Sequence, residues 1–226
     1  VKKVLDEARP GPFVVKAIRR TEKQRQPAPP FITSTLQQEA SRKLNMTPRR
    51  TMAIAQKLYE GIDISGEGTV GLITYMRTDS VRISQTAIND VREWIGKNFP
   101  EDLPAEKIEY AVGKSAQDAH EAIRPTYVKY TPDSVKEYLT REELRLYSII
   151  WERFVSSQMN NAKSKTTSVD IQAGDALFRV SASKLSHKGF YNVIKTLSSK
   201  EDVTGSLPSL KIGEILSSGK FYPEQH

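Results

Sequence analysis

Cysteine is missing from this chain of 226 residues, and histidine occurs only at positions 120, 187 and 226. Disulfides and cysteine-ligated zinc are therefore excluded within the chain. The histidines are also too widely spaced for the His-x-His metal pair of a replication-initiation nuclease. No run of about 18 apolar residues occurs, so the sequence contains no candidate membrane-spanning helix.

Basic residues outnumber acidic ones, which gives a formal net charge of +7 and a pI near 9.4. The excess of basic residues is uneven and forms two stripes. The first, opposed only by Glu22, consists of Lys16, Arg19, Arg20, Lys23 and Arg25. The second, with no acidic residue until Glu201, consists of Lys184, Lys188, Lys195 and Lys200. Such stripes suit a polyanion and predict salt-dependent binding. Solvated strand faces are the alternative interpretation.

The local patterns predict an α+β fold in which a mainly helical domain is inserted into a β domain. A strand is predicted from Phe13 to about Lys23, and four more follow at Thr166–Gln172, Ala176–Ser183, Phe190–Thr196 and Glu214–Phe221. Apolar residues recur at helical spacing between these regions. We expect a discontinuous β domain, residues 1–34 and 160–226, around a helical domain, residues 35–159.

Hydroxyl residues and prolines mark the helix starts within this block. The predicted helices run from Ser34 or Thr35 to Leu44, from Thr47 to Gly61, from Ser84 to before Pro100, from Thr131 for a short stretch, and from Arg141 to Met159. The first two resemble a helix-turn-helix hairpin whose basic residues, including Arg49 and Arg50, face a nucleic-acid backbone, although such hairpins are more often packing units. We also predict a strand at Val70–Met76 and a helical turn at Asp118–Ile123.

Tyr75 lies two residues before Arg77 in a run of small and hydroxyl side chains. A phenol is a poor nucleophile at its ordinary pKa near ~10, so a site that uses it needs positive charge beside the phosphate. Arg77 supplies such a charge, with a fork of donors that matches phosphate geometry. The alternative is an ordinary strand tyrosine beside a solvated arginine.

Three strings in order point to one family: Pro29-Pro30-Phe31-Ile32-Thr33-Ser34-Thr35-Leu36-Gln37-Gln38-Glu39-Ala40, then Gly71-Leu72-Ile73-Thr74-Tyr75-Met76-Arg77-Thr78-Asp79-Ser80, then Gln117-Asp118-Ala119-His120-Glu121-Ala122-Ile123-Arg124-Pro125-Thr126. Together they resemble the signatures of bacterial type IA DNA topoisomerases. Three long strings in the expected order are far more specific than one short motif.

The resemblance implies that the β part is the arch of a toroidal enzyme and that the helical block carries the nucleophile. Tyr75 would form a 5′-phosphotyrosine on single-stranded DNA, Arg77 would stabilise the phosphate, and His120 would bind DNA near the cleaved strand. Thr74 and Arg124 are further candidates for DNA contact, with turn formation and pairing to Glu121 as their structural alternatives.

The resemblance also implies partners outside this sequence. The family's Mg²⁺ site is an Asp-x-Asp cluster in a Toprim domain, and no Asp-x-Asp occurs here. We therefore expect a piece of a longer cytoplasmic enzyme of the bacterial nucleoid, with no metal ligands of its own and inactive without the Toprim domain and the DNA-binding base. The whole enzyme would relax negatively supercoiled DNA without ATP.

Two alternatives remain open from the sequence. A tyrosine recombinase would need several further arginines and histidines around Tyr75, and a replication-initiation nuclease would need the missing histidine pair. A further alternative is that the isolated chain is only a single-stranded DNA-binding module. A Tyr75→Phe substitution would then leave its DNA binding nearly unchanged.

Overall fold

The computed structural model describes residues 12–110, 120–195 and 207–217. These residues fall into two compact units. The β unit comprises residues 12–25, 163–187 and 207–217, and the helical unit comprises residues 26–110, 120–162 and 188–195. The chain therefore passes between the units more than once: it changes unit at 25/26, at 162/163, at 187/188, and again before residue 207. The assignment of the β unit to an arch stays a prediction.

The described part of the helical unit contains five α-helices: α1 (Thr33–Leu44), α2 (Pro48–Glu60), α3 (Gln85–Asn98), α4 (Pro132–Val135) and α5 (Arg141–Ser156). Hydroxyl caps begin four of them, since the side chains of Thr47, Ser84, Thr131 and Thr140 each accept a backbone N–H from the first turn. Such caps satisfy donors that the helix leaves without partners. The predicted starts of these four helices are confirmed.

The core of the helical unit lies where α1, α2 and α5 pack together. Each helix contributes one apolar stripe, and the fully buried side chains include Leu36, Ala40, Leu58, Leu146, Tyr147, Ile150 and Phe154. Burial of side chains of this size stabilises a fold by roughly 1.5–3 kcal/mol each before the entropic cost of folding. The longest helix, α5, contributes Leu146, Tyr147, Ile150 and Phe154 to this core.

A four-stranded sheet forms the β unit, with the strand order β5-β4-β1-β6. Its strands are β1 (Phe13–Arg25), β4 (Ala162–Ala173), β5 (Ala176–His187) and β6 (Ile215–Leu216). β4 and β5 form a long antiparallel hairpin in which Val169 lies opposite Val180, and β1 pairs antiparallel with β6. The turn of this hairpin lies at Gly174, whose φ is 57°.

The strand predicted at Phe190–Thr196 is wrong over its described residues. Gly189–Asn192 forms a 3-10 helix instead, within the helical unit. Gly189 has a φ of 51°, and a Cβ atom there would lie 2.5 Å from the carbonyl oxygens of Asn160 and Asn161. Because only glycine fits this approach and this backbone conformation, the chain turns where apolar composition alone indicated a strand.

Two predictions near the tyrosine are also wrong. Val70–Met76 is not one strand, because a small hairpin of β2 (Ile62–Ile64) and β3 (Gly68–Val70) ends at Val70. The helical turn predicted at Asp118–Ile123 is absent from its described residues, 120–123, where Ile123 forms an isolated antiparallel bridge with Phe31. Residues 117–119 of the third string lie outside the described residues.

The predicted fold class is confirmed: the chain combines a mainly helical part with antiparallel β-structure. Among the described residues, no helix has the length and apolar character needed to cross a membrane.

Candidate active site

The segment from Leu72 to Ser80, here called the tyrosine segment, alternates between buried and exposed side chains over its second half. Met76, Thr78 and Ser80 are buried, whereas Tyr75, Arg77 and Asp79 are exposed. The backbone bends at Met76 and forms no regular strand over this half of the segment. The segment thus places its phenol and its guanidinium on the same solvent-facing side.

The start of α1 holds one side of the tyrosine segment. The Thr33 N–H donates to the Thr78 carbonyl at 2.9 Å, and the Thr33 hydroxyl donates to the Met76 carbonyl at 2.8 Å. The same hydroxyl accepts the Thr78 N–H at 2.9 Å. One threonine therefore satisfies backbone groups on both sides of Arg77, which fixes the backbone from which that side chain projects.

Residues 122–126 hold the other side. The Thr74 N–H donates to the Arg124 carbonyl at 2.9 Å, and the Thr74 hydroxyl donates to the Ala122 carbonyl at 2.7 Å while accepting the Arg124 N–H at 3.0 Å. The Thr126 N–H donates to the Leu72 carbonyl at 3.0 Å. The described end of the third sequence string therefore lies beside the second and anchors Tyr75 through its neighbour Thr74.

The end of α2 fixes the entry to the segment. The Leu72 N–H donates to the Leu58 carbonyl at 2.7 Å, and a Cβ atom on Gly71 would lie 2.8 Å from the Tyr59 carbonyl oxygen. That oxygen belongs to the backbone and cannot yield as a flexible side chain would. Glycine at position 71 is thus required by close approach.

Three rings form a row at the surface of the helical unit. The Tyr75 ring lies edge-on to the Tyr59 ring with a centroid distance of 5.4 Å, and the His120 ring lies 5.5 Å from Tyr75 on a tilted plane. Tyr59 and Tyr75 are 41% and 37% exposed, so the row is open to solvent. These contacts fall in the range in which aromatic rings attract each other.

Tyr59 is the site residue that the sequence pattern missed. It lies in the last turn of α2, whose apolar stripe packs into the core, but its own side chain faces solvent. No local signal distinguishes the two outcomes, because the contact with Tyr75 joins separate elements.

An open cleft of about 540 Å³ lies at this surface. It is lined by the exposed side chains of the tyrosine segment, by His120 and by the start of α1: Ile32, Thr33, Ser34, Gln37, Tyr75, Arg77, Thr78, Asp79 and His120. Arg77 makes no ion pair or side-chain hydrogen bond with any described residue. The first turn of α1 carries no acid. A phosphate in this cleft would therefore meet a free guanidinium and the positive end of a helix.

Arg124 lies apart from this exposed face. It is 11% exposed, and its guanidinium donates to Glu121 at 2.8 Å from Nε and 2.5 Å from Nη2. It also donates to the Pro125 carbonyl at 2.9 Å. The structural pairing expected as one alternative is present, and contact of Arg124 with DNA stays a prediction.

Arg49 and Arg50 are exposed in the first turn of α2. Arg50 forms a two-pronged ion pair with Glu142 at the start of α5. Arg49 has no ion pair within the described part of the chain. Neither residue lines the tyrosine cleft, and their contact with DNA stays a prediction.

A nearly buried ion cluster lies behind α1. Glu39 is 13% exposed and contacts Lys43 at 2.6 Å, Arg42 at 3.1 Å and Arg153 at 3.6 Å, and the Arg153 guanidinium stacks over the Phe31 ring at 4.4 Å. Burial alone would raise the pKa of Glu39, but hydrogen bonds from Lys43 and Arg42 hold it below its ordinary value of 4.5. The cluster fastens α1 to α5 and thereby steadies the helix that anchors Arg77.

The cleft does not have the donors of a magnesium site. Asp79 is its one carboxylate, and no group of three or more His, Cys, Asp or Glu side chains suited to a metal ion occurs among the described residues. Mg²⁺ requires a set of oxygen ligands in near-octahedral arrangement. The described residues therefore do not provide a binding site for this ion.

Comparison with known proteins gives consistent results. A sequence model of a family described as DNA topoisomerase matches residues 1–226. A curated DNA topoisomerase 1 from Treponema pallidum (strain Nichols) is 48% identical over 212 residues, which cover 94% of this chain and 29% of that protein. Full-length topoisomerase I from Thermotoga maritima superposes with a TM-score of 0.78 at 35% identity, covering 95% of this chain and 34% of that one. The chain spans about a third of the length of these relatives.

Proposed function

Because this chain belongs to the DNA topoisomerase family, as its resemblance to the bacterial type IA enzymes predicted, we propose that Tyr75 is the nucleophile that cleaves and rejoins one DNA strand. The observation that supports this role most is the position of Tyr75: it is exposed in an open cleft beside an unpaired Arg77, on backbone anchored from both sides. A nucleophile needs this combination of access and fixed geometry.

The reaction is an exchange of phosphate esters. The Tyr75 oxygen attacks the phosphorus, a Tyr–O–P bond forms, the P–O3′ bond breaks, and the proton lost by the phenol is balanced by one gained on the 3′ oxygen. The product is a 5′-phosphotyrosine and a free 3′ hydroxyl. One ester replaces another, so the reverse attack restores the strand without ATP.

Arg77 stabilises the charge that develops on the phosphate oxygens, because its guanidinium has no competing partner among the described residues. His120, whose ring lies beside that of Tyr75, contacts the DNA next to the cleaved phosphate. Thr74 supports the reaction through backbone geometry, since its hydroxyl is engaged by Ala122 and Arg124.

The remaining machinery lies in other parts of the longer enzyme. We assign the Mg²⁺ site to a Toprim domain and further DNA contacts to the DNA-binding base of the same polypeptide, acting on single-stranded and negatively supercoiled DNA in the bacterial nucleoid. Family membership removes the recombinase and the replication nuclease as alternatives. A passive single-stranded DNA-binding module remains the alternative for the isolated chain.

The test uses single-stranded oligonucleotides labelled at the 5′ or the 3′ end, with Mg²⁺, and scores protein–DNA adducts that survive denaturation. We expect no adduct from the chain alone and a Tyr75-dependent adduct after addition of the separately expressed metal domain. Since the tyrosine joins the 5′ phosphate, only the 3′ label should stay on the protein. Tyr75→Phe should give none.

The other outcomes are equally informative. A Tyr75-dependent adduct from the chain alone would contradict the need for a metal domain, and retention of the 5′ label would contradict the proposed polarity. If oligonucleotides bind but no adduct forms under either condition, the binding-module alternative is favoured.

A further inference from the structure

A second candidate site lies in the β unit. A groove of about 870 Å³ follows the sheet and has an apolar floor that includes Ile18, Val169 and Leu207. Its rim carries Arg20 on β1, Lys165 on β4 and Lys184 on β5, and all three residues are exposed. None of the groove residues belongs to the helical unit.

The strand register places two of these cations opposite each other. Lys165 and Lys184 are direct partners in the antiparallel pairing of β4 with β5. Side chains at such positions are close neighbours, and like charges directly opposite destabilise a sheet. The arrangement therefore costs stability unless an anion lies between the two ammonium groups.

The same sheet neutralises two of its other cations with its own acid. Asp170 is nearly buried and accepts from Arg179 at 2.6 Å, and Arg19 lies 3.3 Å from the same carboxylate. Within the described residues, Arg20, Lys165 and Lys184 have no such partner. The groove thus concentrates uncompensated positive charge beside apolar surface.

We propose that this groove binds a single strand of nucleic acid, with phosphates on Arg20, Lys165 and Lys184 and base or sugar surface against the apolar floor. Cations track the backbone of such a strand while exposed bases contact apolar or aromatic groups. A duplex offers the phosphates but buries its base faces, and a peptide of acidic residues alone, such as polyglutamate, offers no flat apolar ring. The site does not depend on Tyr75 chemistry.

The test measures fluorescence anisotropy of a labelled oligodeoxythymidine on the 226-residue chain carrying Tyr75→Phe, so that no adduct contributes. The groove variant is Arg20→Gln, Lys165→Gln and Lys184→Gln together. Its control, with the same change in net charge, is Lys136→Gln, Arg141→Gln and Arg145→Gln, all exposed and outside the groove. Circular dichroism verifies folding of both.

We expect the groove variant to bind about 10- to 100-fold more weakly at low salt. Its plot of log K against log salt should become shallower by about 2, because each phosphate contact on a single strand contributes roughly 0.7 to that slope. The control should keep the slope of the parent chain. Equal losses in both variants would overturn the proposal, since net charge alone would then explain binding.

Two further measurements keep the proposal falsifiable if the groove variant unfolds. An oligonucleotide with 5-iododeoxyuridine should crosslink to the unsubstituted chain at peptides from β5 or residues 207–210, and crosslinks confined to the helical unit would contradict the site. Duplex DNA, polyglutamate and anionic phosphatidylserine vesicles should compete less well than the single strand. Equal competition by any of them would reject the stated ligand.

Discussion

The tyrosine segment and the β4–β5 hairpin hold their backbones in opposite ways. The hairpin is a regular ladder whose hydrogen bonds run between two neighbouring strands. The tyrosine segment has almost no regular secondary structure, yet its backbone groups bond to the end of α2, to Thr33 at the start of α1, and to residues 122–126. The backbone of the tyrosine segment is therefore held by tertiary contacts, whereas the backbone of the hairpin is held by pairing between neighbouring strands.

The two regions also differ in how they treat arginine. The hairpin arginine Arg179 is paired with Asp170, and Arg77 in the tyrosine segment has no partner among the described residues. An ion pair whose arginine is exposed adds little to stability, while an unpaired guanidinium is ready to bind an external phosphate. Stability and function should therefore respond differently to substitutions in the two regions.

The largest effect is expected for Arg77→Ala. Loss of a charge-stabilising donor at a developing oxyanion commonly slows a reaction about 10²- to 10³-fold, and we expect this loss in the single-turnover rate of adduct formation. The free energy of unfolding should change by less than about 0.5 kcal/mol, because the side chain is exposed and unpaired. The rate for Arg77→Lys should lie between those of the parent chain and Arg77→Ala, since lysine keeps the positive charge but loses the forked set of guanidinium donors. An unchanged rate in Arg77→Ala would remove this residue from the mechanism.

Thr74→Val should have the next largest effect, on stability. The substitution keeps the shape but leaves the Ala122 carbonyl and the Arg124 N–H short of one partner, which costs about 1–3 kcal/mol. Urea unfolding monitored by tryptophan fluorescence reports on the helical unit, which contains Thr74, because Trp94 and Trp151 both lie in that unit. Thr21→Val, at an exposed threonine of β1, is the control and should leave the transition in place. An equal shift in both variants would mean that the segment is not held by this threonine.

Tyr59→Ala should slow adduct formation by about 3- to 10-fold, because an edge-to-face ring pair contributes roughly 0.5–1.5 kcal/mol. The contact orients Tyr75 and does not bind DNA, so the affinity for the oligonucleotide should stay unchanged. Tyr59→Phe keeps the ring and should restore the rate. If Phe is as slow as Ala, the hydroxyl of Tyr59 matters and the positioning role is wrong.

Asp170→Asn should give the smallest effect, a change in how the thermal stability of the β unit depends on pH. The hydrogen bond from Arg179 lowers the pKa of Asp170 below its ordinary value of 3.8, with Arg19 adding to the effect against partial burial. A carboxylate with a lowered folded pKa stabilises the fold above its unfolded pKa, and the contribution disappears as the pH falls through the folded pKa. Calorimetry from pH 7 down to about pH 2 should therefore show a lower melting temperature for the variant near neutrality and convergence in acid. A constant difference across this range would contradict the assigned ion pair.

The helices and the β4–β5 hairpin were predictable because their signals are local. Thr47, Ser84 and Thr131 mark helix starts within one turn of the residues they cap, and Gly174 lies at the hairpin turn. Tyr75 and Arg77 were identified from a family string, and the structure places both at one cleft.

The failures share one physical cause, which is contact between residues distant in sequence. Ile123 is extended because it pairs with Phe31, and residues 189–192 turn because Gly189 packs on the carbonyls of Asn160 and Asn161. Tyr59 joins the site only because the backbone of α2 meets Gly71. The spacing of residues in the sequence contains no information on such long-range contacts. In these segments, tertiary packing overrides the local secondary-structure propensity.

The anchoring of the tyrosine segment has a mechanical consequence. A DNA strand attached to Tyr75 would pull on this segment, and the load would pass at once to Thr33 on one side, to residues 122–126 on the other, and through Leu72 to α2. Hydrogen bonds loaded together resist rupture better than bonds that open one after another. The phenol would then travel under tension as part of the whole helical unit, which keeps the broken end in register for resealing.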